Sequence, residues 1–119
     1  MHIRELEMVA RQRLKLLFCI FNDGAYGAEI HKLRADGVDV SGSMFGYTDF
    51  AAIAKGFGLR GANVTDLGRL PALFDAFAAQ DRAEVWNIHV SDKVVAPQTR
   101  RQGRGLDGFR CDSAADLAA

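Results

Sequence analysis

The sequence predicts an α/β fold, a three-layer sandwich in which a mainly parallel sheet is flanked by helices. Two observations carry this expectation. Apolar residues at helical spacing alternate with short apolar runs in the order helix, strand, helix, long loop, helix, strand, helix, strand. Alternation of that kind builds parallel sheets with right-handed crossovers. The first apolar run, Leu17 to Phe21 within the strand Lys15–Phe21, has no polar alternation. That is the pattern of a strand covered on both faces and not of an exposed edge.

Each element has a local reason. Residues 2–13 read as a helix, with Ile3, Leu6, Ala10 and Leu14 on one face, Val9 beside them, and Arg4, Glu5, Glu7, Arg11 and Arg13 on the other. No N-cap residue precedes it. Asn22–Gly27 is a turn whose Asn, Asp and glycines tolerate positive φ and close backbone approach. Ala28–Ala35 is a short helix carrying Glu29, His31, Lys32 and Arg34, and Asp36–Tyr47 is a glycine-rich loop. Thr48–Phe57 starts the second clear helix, capped by Thr48 or Asp49, with an apolar stripe of Phe50, Ile53, Ala54 and Phe57. Gly58 is placed as its C′ glycine. Gly61–Thr65 is a short strand. Asp66 caps a helix that runs to about Gln80, with Pro71 in its first turn and Leu70, Leu73, Phe74 and Phe77 on its inner face. Ala83–Val90 is the last strand, where Trp86 reads as a core or interface residue. Residues 1–97 form one partial domain, and 98–119 a flexible polar tail.

Composition narrows the function classes. At 119 residues there is at most one domain, long enough to bury a core. The 15 acidic and 15 basic side chains cancel, which argues against a nucleic-acid binder. No apolar run approaches a membrane span, and the charged N-terminal stretch has no signal-peptide core. Cys19 reads as a small buried hydrophobe and Cys111 lies in the tail, so there is no disulfide framework and a cytoplasmic setting is expected.

The candidate site is the turn after the first strand. Open α/β sheets bind ligands at the carboxyl ends of their strands. Asp23 is the group there that can hold a cation, although Asp-Gly is also a common plain turn. Asn22 either caps the turn or meets a cofactor. Tyr26 either touches a ligand or packs over the strand end with a polar contact. Glu29 and His31 read more simply as the solvated face of a short helix, and His2 and His89 as incidental. No Ser/His/Asp or Cys/His constellation is assignable. His31, Cys19 and Cys111 lack zinc-ligand spacing, and neither Gly56-Phe57-Gly58 nor Gly103-Arg104-Gly105 makes a phosphate loop.

The ordered run LKLLFCIFNDGAYGAEIHKL, YTDFAAIAKGFGLRGANV, DLGRLPALFDAF and AEVWNIHVSDKVVAP resembles the C-terminal part of thiamine-diphosphate-dependent enzymes. The nearest likeness is to the acetolactate synthase-like group of 2-oxo acid decarboxylases and carboligases. That family carries a two-part signature, a Gly-Asp-Gly followed further on by an Asn-Asn pair at the end of a buried strand. The resemblance implies thiamine diphosphate and Mg²⁺ as cofactors. It places Asn22 and Asp23 on the pair and implies a cofactor-binding turn of Asn22, Asp23, Gly24, Ala25 and Tyr26. The metal ligands would be the Asp23 carboxylate and the Ala25 carbonyl. Asp in place of the second Asn suits a cation that prefers hard oxygen ligands. The chain contains no Gly-Asp-Gly, and the family's spacing would put that Asp before Met1. The family's catalytic glutamate also belongs to a separate domain. The expectation is therefore an incomplete metal and cofactor site, with no catalytic residue assigned. A complementary subunit would complete it, and a homo-oligomer is the other partner expected. The alternatives are a non-catalytic fragment or an interaction module reusing the fold.

Overall fold

The computed structural model describes residues 3–95, so the polar tail, Cys111 and His2 lie outside the described residues. The described chain divides into a sheet unit, residues 3–22 with Asp49–His89, and a second unit, Asp23–Thr48 with residues 90–95.

The sheet unit holds helix α1 (Glu5–Arg11), strand β1 (Leu17–Asn22), helix α3 (Phe50–Gly56), strand β2 (Arg60–Val64), helix α4 (Leu70–Ala78) and strand β3 (Glu84–His89). Helix α2 (Gly27–Ala35) belongs to the second unit. The sheet has three parallel strands in the order β1-β3-β2, as the α/β expectation required. Register sets Phe18 and Gly61 beside Val85, and Ile20 and Asn63 beside Asn87. Since side chains alternate along a strand, these residues share one face. That face meets Leu6 and Val9 of α1 and Ala54 of α3, with Leu59, Ala83 and Val85 completing the buried core and Phe18, Ile20 and Phe57 packed against it.

The expected boundaries hold to within a few residues. Asp49 caps α3 by accepting the Ala52 N–H at 2.9 Å. Asp66 caps a 3₁₀ turn, Leu67–Arg69, that leads into α4, whose first turn holds Pro71. The α3 closure is the one Gly58 was placed for. The Gly58 N–H reaches the Lys55 carbonyl at 2.9 Å and the Leu59 N–H the Ala54 carbonyl at 3.1 Å, with Gly58 at φ 78°. The same pair of bonds closes α1, from Arg13 to Ala10 and from Leu14 to Val9, each 3.1 Å, but there an arginine sits at φ 53°.

Three expectations are corrected. β1 is an edge strand of the described sheet, not an interior one. Cys19 is exposed, not buried, and Phe21 is 71% exposed. The apolar character of β1 reports what the strand needs covered, which among the described residues is only the α1 and α3 face. Phe74 of α4, read as inner, is 55% exposed, while Phe77 is buried. Trp86 lies buried in the central strand, in the core as read.

Candidate functional site

Asn22 closes β1 in the sheet unit, and Asp23 to Tyr26 open the second unit. Asn22 is buried, and its side-chain N–H donates to the Asn87 Oδ1 at 3.0 Å. Asn87 is 0% exposed and donates in turn to the Asn63 Oδ1 at 2.8 Å. A buried amide needs its partners, because an unpaired one costs about 1–3 kcal/mol. This network is the part of the site that residue-type reasoning missed. The signal for it was an asparagine inside each of two otherwise largely apolar strands, AEVWNIHV and RGANV.

In the second unit the turn is built around the Asp23 carboxylate. Its Oδ1 accepts the Ala25 N–H at 3.1 Å, an Asx turn. Gly24 follows at φ 70°, and a Cβ there would approach the Gly46 backbone to 3.2 Å. The close approach is used: the Gly24 carbonyl accepts from the Phe45 and Gly46 N–H groups at 3.0 and 2.9 Å. The Tyr26 N–H donates to the Ser43 carbonyl at 2.9 Å, and Ala25 bridges Met44. The glycine-rich loop therefore pairs with the turn instead of ranging free of it. Gly27, the first residue of α2, leaves the space that the carboxylate occupies, since a Cβ there would lie 2.1 Å from the Asp23 Oδ2. The carboxylate thus sits against the first turn of α2, where the helix dipole favours negative charge.

The structure brings Asp23, Gly24, Ala25 and Tyr26 into this one turn. Tyr26 is exposed and packs edge-on against Phe45, with ring centroids 5.1 Å apart. Glu29 is on the solvated face of α2, as read. His31 is not: it is buried. Burial holds its imidazole below the ordinary value and Arg34 adds to that, while Asp92, Asp23 and the Val94 carbonyl oppose. Arg34 in turn pairs with Asp92 at 3.0 Å, and the Tyr47 hydroxyl donates to the Val90 carbonyl at 3.2 Å.

The donor set suits a hard divalent cation. Mg²⁺ is commonly held by one or two carboxylates, with phosphate oxygens and water filling the remaining positions. Asp23 supplies such a carboxylate, preset by the Ala25 N–H, and the Ala25 carbonyl is a second hard oxygen two residues on. Among the described residues no three His, Cys, Asp or Glu side chains converge as a metal cage. The turn could thus supply only part of a coordination sphere.

Comparison with known proteins gives a family. The family model described as thiamine pyrophosphate enzyme, C-terminal TPP binding domain, matches residues 1–88. That span runs from before α1 into β3 and includes the whole turn. No curated protein matches the chain.

Proposed function

Because this chain belongs to the thiamine pyrophosphate enzymes through their C-terminal TPP-binding domain, we propose that it forms the thiamine diphosphate- and Mg²⁺-binding portion of an acetolactate synthase-like 2-oxo acid decarboxylase or carboligase. The observation that carries the reading is the Asp23 carboxylate, held by the Ala25 N–H and seated in the space that Gly27 leaves. Asp23 and the Ala25 carbonyl would hold Mg²⁺, Gly24 and Tyr26 would line the diphosphate, and Asn22 would meet the cofactor from the end of β1. When bound, thiamine diphosphate supplies the electron sink that decarboxylation of a 2-oxo acid requires. The chain's own part is to bind and orient it.

The site is completed by a complementary subunit bearing Gly-Asp-Gly, a motif that this chain lacks. Calorimetry with Mg²⁺ and thiamine diphosphate tests this. The chain alone should give no saturable heat, and a partner carrying Gly-Asp-Gly should restore it. Asp23→Asn, the family's commoner residue, should retain the restored binding and Asp23→Ala should lose it. Tight binding by the chain alone would refute the incompleteness. Unchanged binding by Asp23→Ala would remove Asp23 from the metal site. No binding under any condition favours the non-catalytic interaction module. Among the described residues no helix is long and apolar enough to cross a membrane.

A further inference from the structure

Four side chains of the sheet unit form one hydrogen-bonded line across all three strands, and its direction is set at one end. The Asp49 Oδ1 accepts from the Ala52 N–H at 2.9 Å and from the Asn63 side-chain N–H at 3.0 Å. A carboxylate can only accept, so Asn63 must give it the NH₂ end and turn its carbonyl oxygen towards β3. There that oxygen accepts from Asn87 Nδ2 at 2.8 Å. Asn87 must then turn its own carbonyl oxygen towards β1, where it accepts from Asn22 Nδ2 at 3.0 Å. The Asn87 NH₂ also contacts the His89 Nε2 at 3.3 Å. An amide nitrogen only donates, so that ring nitrogen is the acceptor, in keeping with the same direction. Asn87 is 0% exposed. Reversing the Asn22 or Asn87 amide would set like groups against one another where water cannot relieve the conflict, whereas at the exposed Asn63 the charge of the Asp49 carboxylate holds the amide.

We infer that Asp49 is a positioning residue. Through Asn63 and Asn87 it fixes which end of the Asn22 amide is engaged inside the sheet. A ligand that meets Asn22 therefore meets an amide whose orientation Asp49 has already set. The ligand half rests on the reading of Asn22 as a cofactor-binding residue; the directional half does not.

Side-chain NH₂ resonances of the ¹⁵N-labelled full chain test both halves. In the unaltered protein Asn22, Asn63 and Asn87 should each give one NH₂ pair, those of the buried Asn22 and Asn87 protected from exchange. Asp49→Ser keeps an N-cap for α3, but its hydroxyl is too short to reach Asn63. The three NH₂ pairs should then double or broaden and exchange with solvent roughly tenfold faster, as expected for loss of one charge-assisted hydrogen bond. Adding Asn63→Asp should restore single, protected signals for Asn87 and Asn22, because an acceptor-only group at 63 again obliges Asn87 to give its NH₂ end. A merely structural role predicts a second loss, not a rescue. The relay is overturned if Asp49→Ser leaves the Asn22 signals unchanged in a folded chain, or if the double variant is no better than the single. Should Asp49→Ser fail to fold, the unaltered chain decides. Asn63 NH₂ and Ala52 N–H share one oxygen and must show a nuclear Overhauser contact, whose absence refutes the direction. Addition of thiamine diphosphate, Mg²⁺ and a Gly-Asp-Gly partner should move the Asn22 signals. If that mixture binds by calorimetry and they do not move, the ligand half alone falls.

Discussion

α1–β1 and α3–β2 are two versions of one unit, a seven-residue helix closed by the same pair of hydrogen bonds and leading into a strand that flanks β3. They differ in how each is finished. α3 closes on Gly58, and its strand is drawn against it so tightly that Gly61 lies on the Ala51 backbone. α1 closes on Arg13 in a conformation that favours glycine, and its strand carries Cys19 and a 71%-exposed Phe21 on the face opposite α1 and α3. The more apolar strand is thus the less covered one. Hydrophobicity along a strand states a demand for burial; a helix packed on it, as α3 is on β2, is what meets that demand.

The comparison can be broken most strongly on the β2 side. A Cβ at Gly61 would lie 2.4 Å from the Ala51 carbonyl oxygen and 2.8 Å from its Cα. Neither can swing aside, so Gly61→Ala should cost about 3 kcal/mol by overpacking, read as a lower denaturant midpoint. Next comes the rung that links β1 and β2 through β3. Asn87→Ala leaves the amides of Asn22 and Asn63 without their shared partner and should cost about 2 kcal/mol by the same measurement. The two closures should then respond in opposite directions. Gly58→Ala should lose, and Arg13→Gly gain, about 1 kcal/mol, because the left-handed conformation suits only glycine well. If both changes destabilise, the Arg13 side chain contributes more than its backbone costs.

Smaller again is the pH dependence on the β2 side, since Asp49 is exposed. The Ala52 N–H and then the Asn63 amide hold its carboxyl below the ordinary carboxylate value. Its stabilisation is therefore fully present above that ordinary value and is lost as pH falls through the lowered one. Asp49→Ser should flatten this part of the acid unfolding curve. The smallest effect on stability belongs to β1. Phe21→Ser should shift the midpoint by less than about 0.5 kcal/mol while reducing self-association in sedimentation velocity, because the apolar face it removes is open among the described residues.

The parts that were legible in the sequence are those decided by neighbours along the chain. Asp49 could be read as a cap and Gly58 as a closing glycine because both roles depend on bonds to residues a few positions away. The turn from Asn22 to Tyr26 was legible for the same reason, and because its residue order resembles a known motif. The Asn63–Asn87–Asn22 line was not, since it exists only once the parallel register sets Asn63 beside Asn87. His31 was misread because its burial cannot be inferred from a helix with charged residues on both sides. The openness of β1 was misread because an apolar pattern is silent about whether its cover is present.

Cys19 turns that last point into a chemical clock. Its thiol lies on the uncovered face of β1, two residues from Phe21 and in register with Trp86. The rate at which a neutral alkylating reagent consumes it measures how often that face is open, residue by residue in a digested sample. A subunit or second copy seated on the strand would slow this rate without any need for turnover or bound cofactor. The strand that makes the chain look unfinished therefore carries its own reporter of being finished.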